Sequence, residues 1–223
     1  MTAKQTIKVY LEVGKKRTFA AAMDWPGWCR IGRDEASALQ SLVEYGPRFA
    51  AVVRSARLGF QTPKDVSVFA ITGRLKGNAT TDFGAPDIAP SIDLKRVSDA
   101  ELWRLQSILK ACWKAFDATV ESAHGKSLRA GPRGGGRSVT GIVEHVVGAE
   151  QGYLSRLGGK APKGATIGQL RETIIETMEA SARGEIAKVG PRAGRRWSVT
   201  FFVRRAAWHV LDHLWEIEDR SHT

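Results

Sequence analysis

WSVTFFVRRAAWHVLDHLWEIED, residues 197–219, is the stretch on which the reading of this chain depends. Phe202, Ala206, His209, Val210, His213 and Ile217 recur at steps of three and four, so they share one face of a helix. Residues four apart on a helix sit one above the other, so the imidazoles of His209 and His213 can both point at one metal ion. A third histidine, His145, lies between Ile142 and Ala149 on the apolar face of an earlier helical segment. All three are expected to face the interior. A neutral imidazole is a good ligand for zinc, nickel, copper or iron. Three protein ligands leave positions open for water or substrate, the mark of a catalytic or sensing site. Each ligating ring also needs an acceptor for its other N–H; Glu216 is one candidate and Asp212 another. His124 and His222 fall at a helix end and the chain terminus and are read as surface residues.

Working outward from this segment, the whole second half has a helical period. Ser98 with Glu101 makes a capping box. Leu102, Leu105, Ile108, Leu109, Cys112, Trp113, Phe116 and Val120 then form an apolar stripe. Gly131-Pro132-Arg133-Gly134-Gly135-Gly136 breaks it, and a second helix runs from about Ser138 to Leu157 with Ile142, His145, Val146, Ala149 and Tyr153 on one face. Thr166 with Gln169 opens a third, through Leu170, Ile174, Ile175 and Met178. Gly190-Pro191 precedes the fourth, from about Ser198 to Asp219. Four helices of this length with short breaks predict an all-α four-helix bundle over residues 98–223. A weak repeat relates helices two and four. Gly131-Pro132-Arg133, Ser138-Val139-Thr140 and His145-Val146 recur as Gly190-Pro191-Arg192, Ser198-Val199-Thr200 and His209-Val210.

The first half has another grammar. Thr6 to Leu11 alternate, and Thr18 to Met23 and Trp28 to Gly32 read as further strands, joined by turns at Gly14-Lys15-Lys16 and Trp25-Pro26-Gly27. Asp34 can cap a helix through Ala38, Leu39, Leu42 and Val43 towards Tyr45. Pro47 ends that helix or starts a short second one through Phe49, Val52 and Val53. Val66 to Ile71 reads as one more strand. Residues 1–75 are thus a small α+β domain. Residues 76–97, with Gly77, Gly84, Pro86 and Pro90 and no periodicity, read as a linker draped over the surface.

Composition is that of a globular protein, 43% hydrophobic and 26% charged. No apolar run approaches the ~20 residues that span a bilayer, and Met1 to Thr6 lead straight into a strand without a signal-peptide core. A cytoplasmic protein is expected. Cys29 and Cys112 lie in separate apolar segments and read as buried structural thiols. The net charge of +11 is divided as +5 over residues 1–95 and +6 over residues 96–223, with no basic tail. It favours anionic partners in general and argues no specific nucleic-acid site.

Arg133, Arg137, Arg192, Arg195 and Arg196 cluster just before helices two and four, where helix N-termini add positive potential. They read either as solvated loops or as a pocket for the anionic part of a cofactor. Arg204 and Arg205 are expected on the outer face of the fourth helix. Trp103, Trp113, Trp208 and Trp215 fall at core or interface spacings; Trp25 and Trp28, beside a turn, are expected exposed as a partner patch. No side chain is an evident general base, and Glu144, Glu150 and Glu216 have no assigned role.

On His145, the His209/His213 pair and the Trp197-Ser198 start of the last helix, residues 96–223 resemble the DinB-like (YfiT-like) superfamily of metal-binding four-helix bundles. The resemblance implies His145, His209 and His213 as a metal triad for a divalent transition metal: zinc, nickel or manganese. It also implies thiol-dependent chemistry, in which the metal activates a low-molecular-weight thiol against a small electrophilic substrate, and a possible homodimer. On Trp25-Pro26-Gly27, Gly32, Glu35, Ala38 and Leu39, residues 6–72 resemble the HicB-like antitoxin fold, a truncated RNase H-like unit, here without the DNA-binding segment such antitoxins append. Two functions are therefore expected as alternatives. One is a metal-dependent thiol transferase, isomerase or hydrolase. The other is a non-catalytic binding or regulatory protein whose bundle the metal stabilises and whose first domain contacts protein or RNA.

Overall fold

In the computed structural model the chain divides into two compact units, Met1–Lys95 and Arg96–Thr223, and the residues described are 6–130, 136–191 and 193–221. The first unit is α+β. Its strands are β1 (Ile7–Val13), β2 (Thr18–Ala22), β3 (Cys29–Gly32) and β4 (Phe69–Lys76), with α1 (Glu35–Glu44) and α2 (Gly46–Val53) between β3 and β4. The sheet order is β3-β2-β1-β4. The first three strands pair antiparallel, and β4 returns parallel to β1. Asp34 caps α1 with its carboxylate on the Ser37 N–H, and Pro47 sits in the first turn of α2, where its missing N–H costs nothing. Gly32 is required where β3 meets α1: a Cβ there would stand 2.3 Å from the Ala38 nitrogen.

Trp28 is fully buried, not the exposed patch expected of it. Its indole N–H donates to the Leu42 carbonyl at 2.9 Å, and its ring meets Phe49, Phe60 and Phe69. The turn at Trp25-Pro26-Gly27 folds it back beneath the helices, and the one polar atom of the indole finds a partner there. Trp25 is half-buried against Phe49 and Phe60. Trp28→Phe, which keeps a ring but loses the N–H and some volume, is expected to cost about 1–3 kcal/mol in urea unfolding; an unchanged midpoint would refute this anchoring role.

Two expected boundaries move. The strand foreseen at Val66 begins at Phe69, because Asp65 accepts the Ser67 N–H at 2.8 Å and closes Val66–Val68 into a 3-10 turn. The stretch expected as a linker carries structure up to Lys95. It includes α3 (Ala79–Phe83), capped by Asn78, and a 3-10 turn at Ser91–Leu94. Glu12, buried on β1, gathers this stretch: it accepts from the Thr81 hydroxyl and from the N–H groups of Asp87 and Ile88. Burial raises the Glu12 carboxyl above its usual range, against the pull of those hydrogen bonds.

The second unit is helical: α4 (Asp99–Ser122), α5 (Val139–Leu157), α6 (Ile167–Arg183) and α7 (Val199–Ser221). Ser98, Ser138 and Thr166 cap the first three through side-chain oxygens, and Ser198 does the same for α7. Around the core the helices neighbour one another as α4, α7, α5, α6, with α6 back against α4. Phe202, Val203, Ala206, Val210 and Ile217 of α7 are fully buried against this surround. Cys29 and Cys112 are buried thiols not joined in a disulfide; burial pushes the Cys112 thiol far up. No described helix is long and apolar enough to cross a membrane.

Candidate metal centre

Two helices build the centre. His209 and His213 stand one turn apart on α7, and His145 reaches them from α5. One ligand nitrogen from each lies within 4.8 Å of the other two. The ring centroids are 4.6 Å apart for His209 and His213, 4.8 Å for His145 and His213 and 5.0 Å for His145 and His209. Nε2 of His209 is 3.2 Å from Nε2 of His145, so at least one of the two carries a lone pair towards the other.

Burial lowers two of the three rings, His209 and His145, below the usual histidine range. Burial pushes His209 down to about 2, with the charges of His213, His145, Arg205 and Arg137 acting in the same direction. His145 is lowered by burial first, then by His213 and Arg137, while Glu216 opposes. His213 is oriented differently. Its Nδ1 lies 2.7 Å from Oε2 of Glu216, whose other oxygen accepts from Arg220 at 2.6 Å. The bond to His213 is the main reason that the Glu216 carboxyl lies below its usual range. A proton on Nδ1, facing that carboxylate, leaves Nε2 with its lone pair for the cluster. Of the two acceptors foreseen, Glu216 is the one at the ring.

The donor set suits a transition ion. Two nitrogens bound about 2.0–2.1 Å from one tetrahedral ion stand about 3.3 Å apart, close to the 3.2 Å between His209 and His145. Nδ1 of His209 is buried with no hydrogen-bond partner. This ring therefore lacks the acceptor that a ligating histidine's other N–H calls for. His145 and His213 are only half-buried, so the cluster is not sealed from solvent.

Compared with known proteins, the chain matches no family model, no curated protein and no solved structure. Of the five loop arginines, Arg137 is exposed yet acts on both His145 and His209 through its charge. Arg195 is exposed in a bridge to Val189, and Arg196 spends its guanidinium on the Ala187 carbonyl at 3.2 Å. Arg133 and Arg192 lie outside the described residues, as does His222. His124 is exposed.

The placements of Arg204 and Arg205 correct the sequence reading. Arg204 and Arg205, expected outside, are each only 7% exposed, because α7 is packed nearly all round and arginine stems are apolar enough to follow it. Arg205 lies over the rings of Trp208 and Tyr153, four residues before His209. That spacing was the available signal, masked by the habit of placing arginines in water. Trp103, read as core or interface, is 60% exposed and so lies outside the core, while Trp113, Trp208 and Trp215 are buried. Glu150, without a role in the sequence reading, is buried and accepts from the Trp113 indole N–H, leaving its second oxygen without a partner. Burial raises its carboxyl to about 7, against the pull of Arg171 and Trp113.

Proposed function

We propose that residues 96–223 form a DinB-like four-helix bundle whose His145, His209 and His213 hold one divalent transition metal, with zinc or nickel favoured and manganese the alternative. The protein is then a metal-dependent enzyme that turns a small electrophilic substrate over with a low-molecular-weight thiol. The observation that carries this reading is the convergence of the three imidazoles from two helices, with one nitrogen from each inside 4.8 Å. A bound divalent ion would supply Lewis acidity, lowering the pKa of a thiol or water in an open position.

The chain's own residues prepare that chemistry. Burial keeps His209 and His145 in the neutral form a metal needs. Glu216, itself steadied by Arg220, fixes which nitrogen of His213 faces the cluster. The half-buried state of His145 and His213 favours a reactive centre over a purely structural one, since closed structural sites take four protein ligands. We read the first unit as a HicB-like module on its mixed four-strand sheet.

Elemental analysis of the tag-free protein beside its His145→Ala/His209→Ala/His213→Ala variant tests the site. About one equivalent of a transition metal in the parent and none in the variant is the expected result. A parent that stays metal-free after incubation with zinc, nickel or manganese would sink the reading.

A further inference from the structure

We infer that Arg220 is a positioning residue of the metal centre, and that through it the segment following α4, at Arg129, supports the orientation of His213. The inference rests on the metal reading above. Its first support is an unbroken run of hydrogen bonds. Nδ1 of His213 lies 2.7 Å from Oε2 of Glu216, and the other carboxylate oxygen accepts from Nη1 of Arg220 at 2.6 Å. Nε of Arg220 in turn donates to the Arg129 carbonyl at 2.8 Å, ninety-one positions earlier in the chain. The guanidinium therefore donates in two directions, one towards the centre and one towards the segment beyond it. Its side chain is only 12% exposed, so these bonds are made largely out of water, where charge-assisted pairs hold their geometry best.

The second support is the way that segment is itself fixed. The last carbonyls of a helix have no partner within it. At the end of α7 Arg129 takes two of them: its N–H donates to the Arg220 carbonyl at 3.0 Å, and its Nη2 donates to the Asp219 carbonyl at 2.7 Å. A cation there also complements the negative end of the helix dipole. Gly136 lies against the same guanidinium. At its φ of +141° an added Cβ would stand 2.5 Å from Nη2 and 2.8 Å from Cζ of Arg220, so only a glycine brings the backbone that close. An arginine free in solvent would let Glu216 swing with it. One held on Arg129 and Gly136 pins the first carboxylate oxygen and leaves the second aimed at His213, whose Nε2 then faces the cluster.

Zinc affinity of the whole protein, measured by competition with a chromophoric chelator, tests this. Arg220→Gln is expected to bind one equivalent with its Kd raised about ten-fold. Arg220→Lys keeps a cation for Glu216 but loses the Nε donor to Arg129, and should raise the Kd several-fold. In a Glu216→Gln background neither substitution should add more than about two-fold, because Arg220 acts through that carboxylate. A parental Kd in Arg220→Gln, or losses that multiply in the double variant, overturns the positioning role and leaves the metal site standing. A parental Kd in Arg220→Lys alone overturns the part given to Arg129. Should Arg220→Gln fail to fold by circular dichroism, the lysine variant and its double with Glu216→Gln decide on the same terms. A parent that takes up no zinc overturns both this inference and the metal reading.

Discussion

Zinc or nickel at one hundred times its Kd is expected to stabilise the protein by about 2.7 kcal/mol, and to leave the triple histidine variant where it was. The reason is mass action. A ligand that binds the folded chain and not the unfolded one moves the equilibrium by its own occupancy, and the three imidazoles come together only when α5 and α7 are packed. Histidines scattered along the unfolded chain hold the ion far more weakly. For a unit of this size the gain corresponds to a rise of very roughly 10 °C in the midpoint of thermal unfolding, read by far-ultraviolet circular dichroism with and without chelator. An equal shift in parent and variant would place the ion elsewhere. A second substitution sharpens the test. Glu216→Gln keeps an acceptor at His213 but removes the carboxylate that orients it, so metal affinity is expected to fall by about ten-fold or more while one equivalent still binds at saturation.

Glu150→Gln is expected to stabilise the protein above pH 7 and to make little difference at pH 5. In the fold the Glu150 carboxyl titrates at about 7, whereas its ordinary value is 4.5. Between those values the folded chain keeps a proton that the unfolded chain has released. Stability from this group is therefore full below about pH 4.5, falls as pH rises to about 7, and is level beyond. The span corresponds to roughly 3 kcal/mol. Burial is the main cause, because one carboxylate oxygen has no partner and the indole of Trp113 satisfies only the other. Glutamine stays neutral and keeps an oxygen for that indole, although its amide N–H groups then need partners, which reduces the gain by about 1 kcal/mol. The check is the difference between urea-unfolding free energies of parent and variant at pH 5 and pH 8. Parallel values at both would show that Glu150 is ionised in the fold without penalty.

Much of this was legible in residue spacing. The four long helices were readable because their apolar positions recur every three or four residues and because Ser98, Ser138, Thr166 and Ser198 mark their starts through local hydrogen bonds. The β2–β3 region and α1 were readable for similar reasons, with Gly32 and Asp34 at the junction. The three candidate ligands were named from the same periodicity, since a residue's face on a helix follows from its position alone. Glu216 was within reach of the same reasoning, being three residues from His213.

The remainder depended on contacts between elements distant in the chain. Residues 76–95 have no period of their own, so their order comes from Glu12, a carboxylate more than sixty positions earlier. Trp28 looked like surface beside a turn until α1 supplied the Leu42 carbonyl. Trp113 and Glu150 meet across α4 and α5, and neither position alone signals the other. Arg205 carries the sharpest case. Polarity assigns an arginine to water, but the packing around α7 buries it beside His209. What residue order decided was periodicity, capping and the set of side chains that share a face, all of which are local along the backbone. What only tertiary structure decided was which of those faces close on one another, and therefore which buried charges and polar atoms must find partners there.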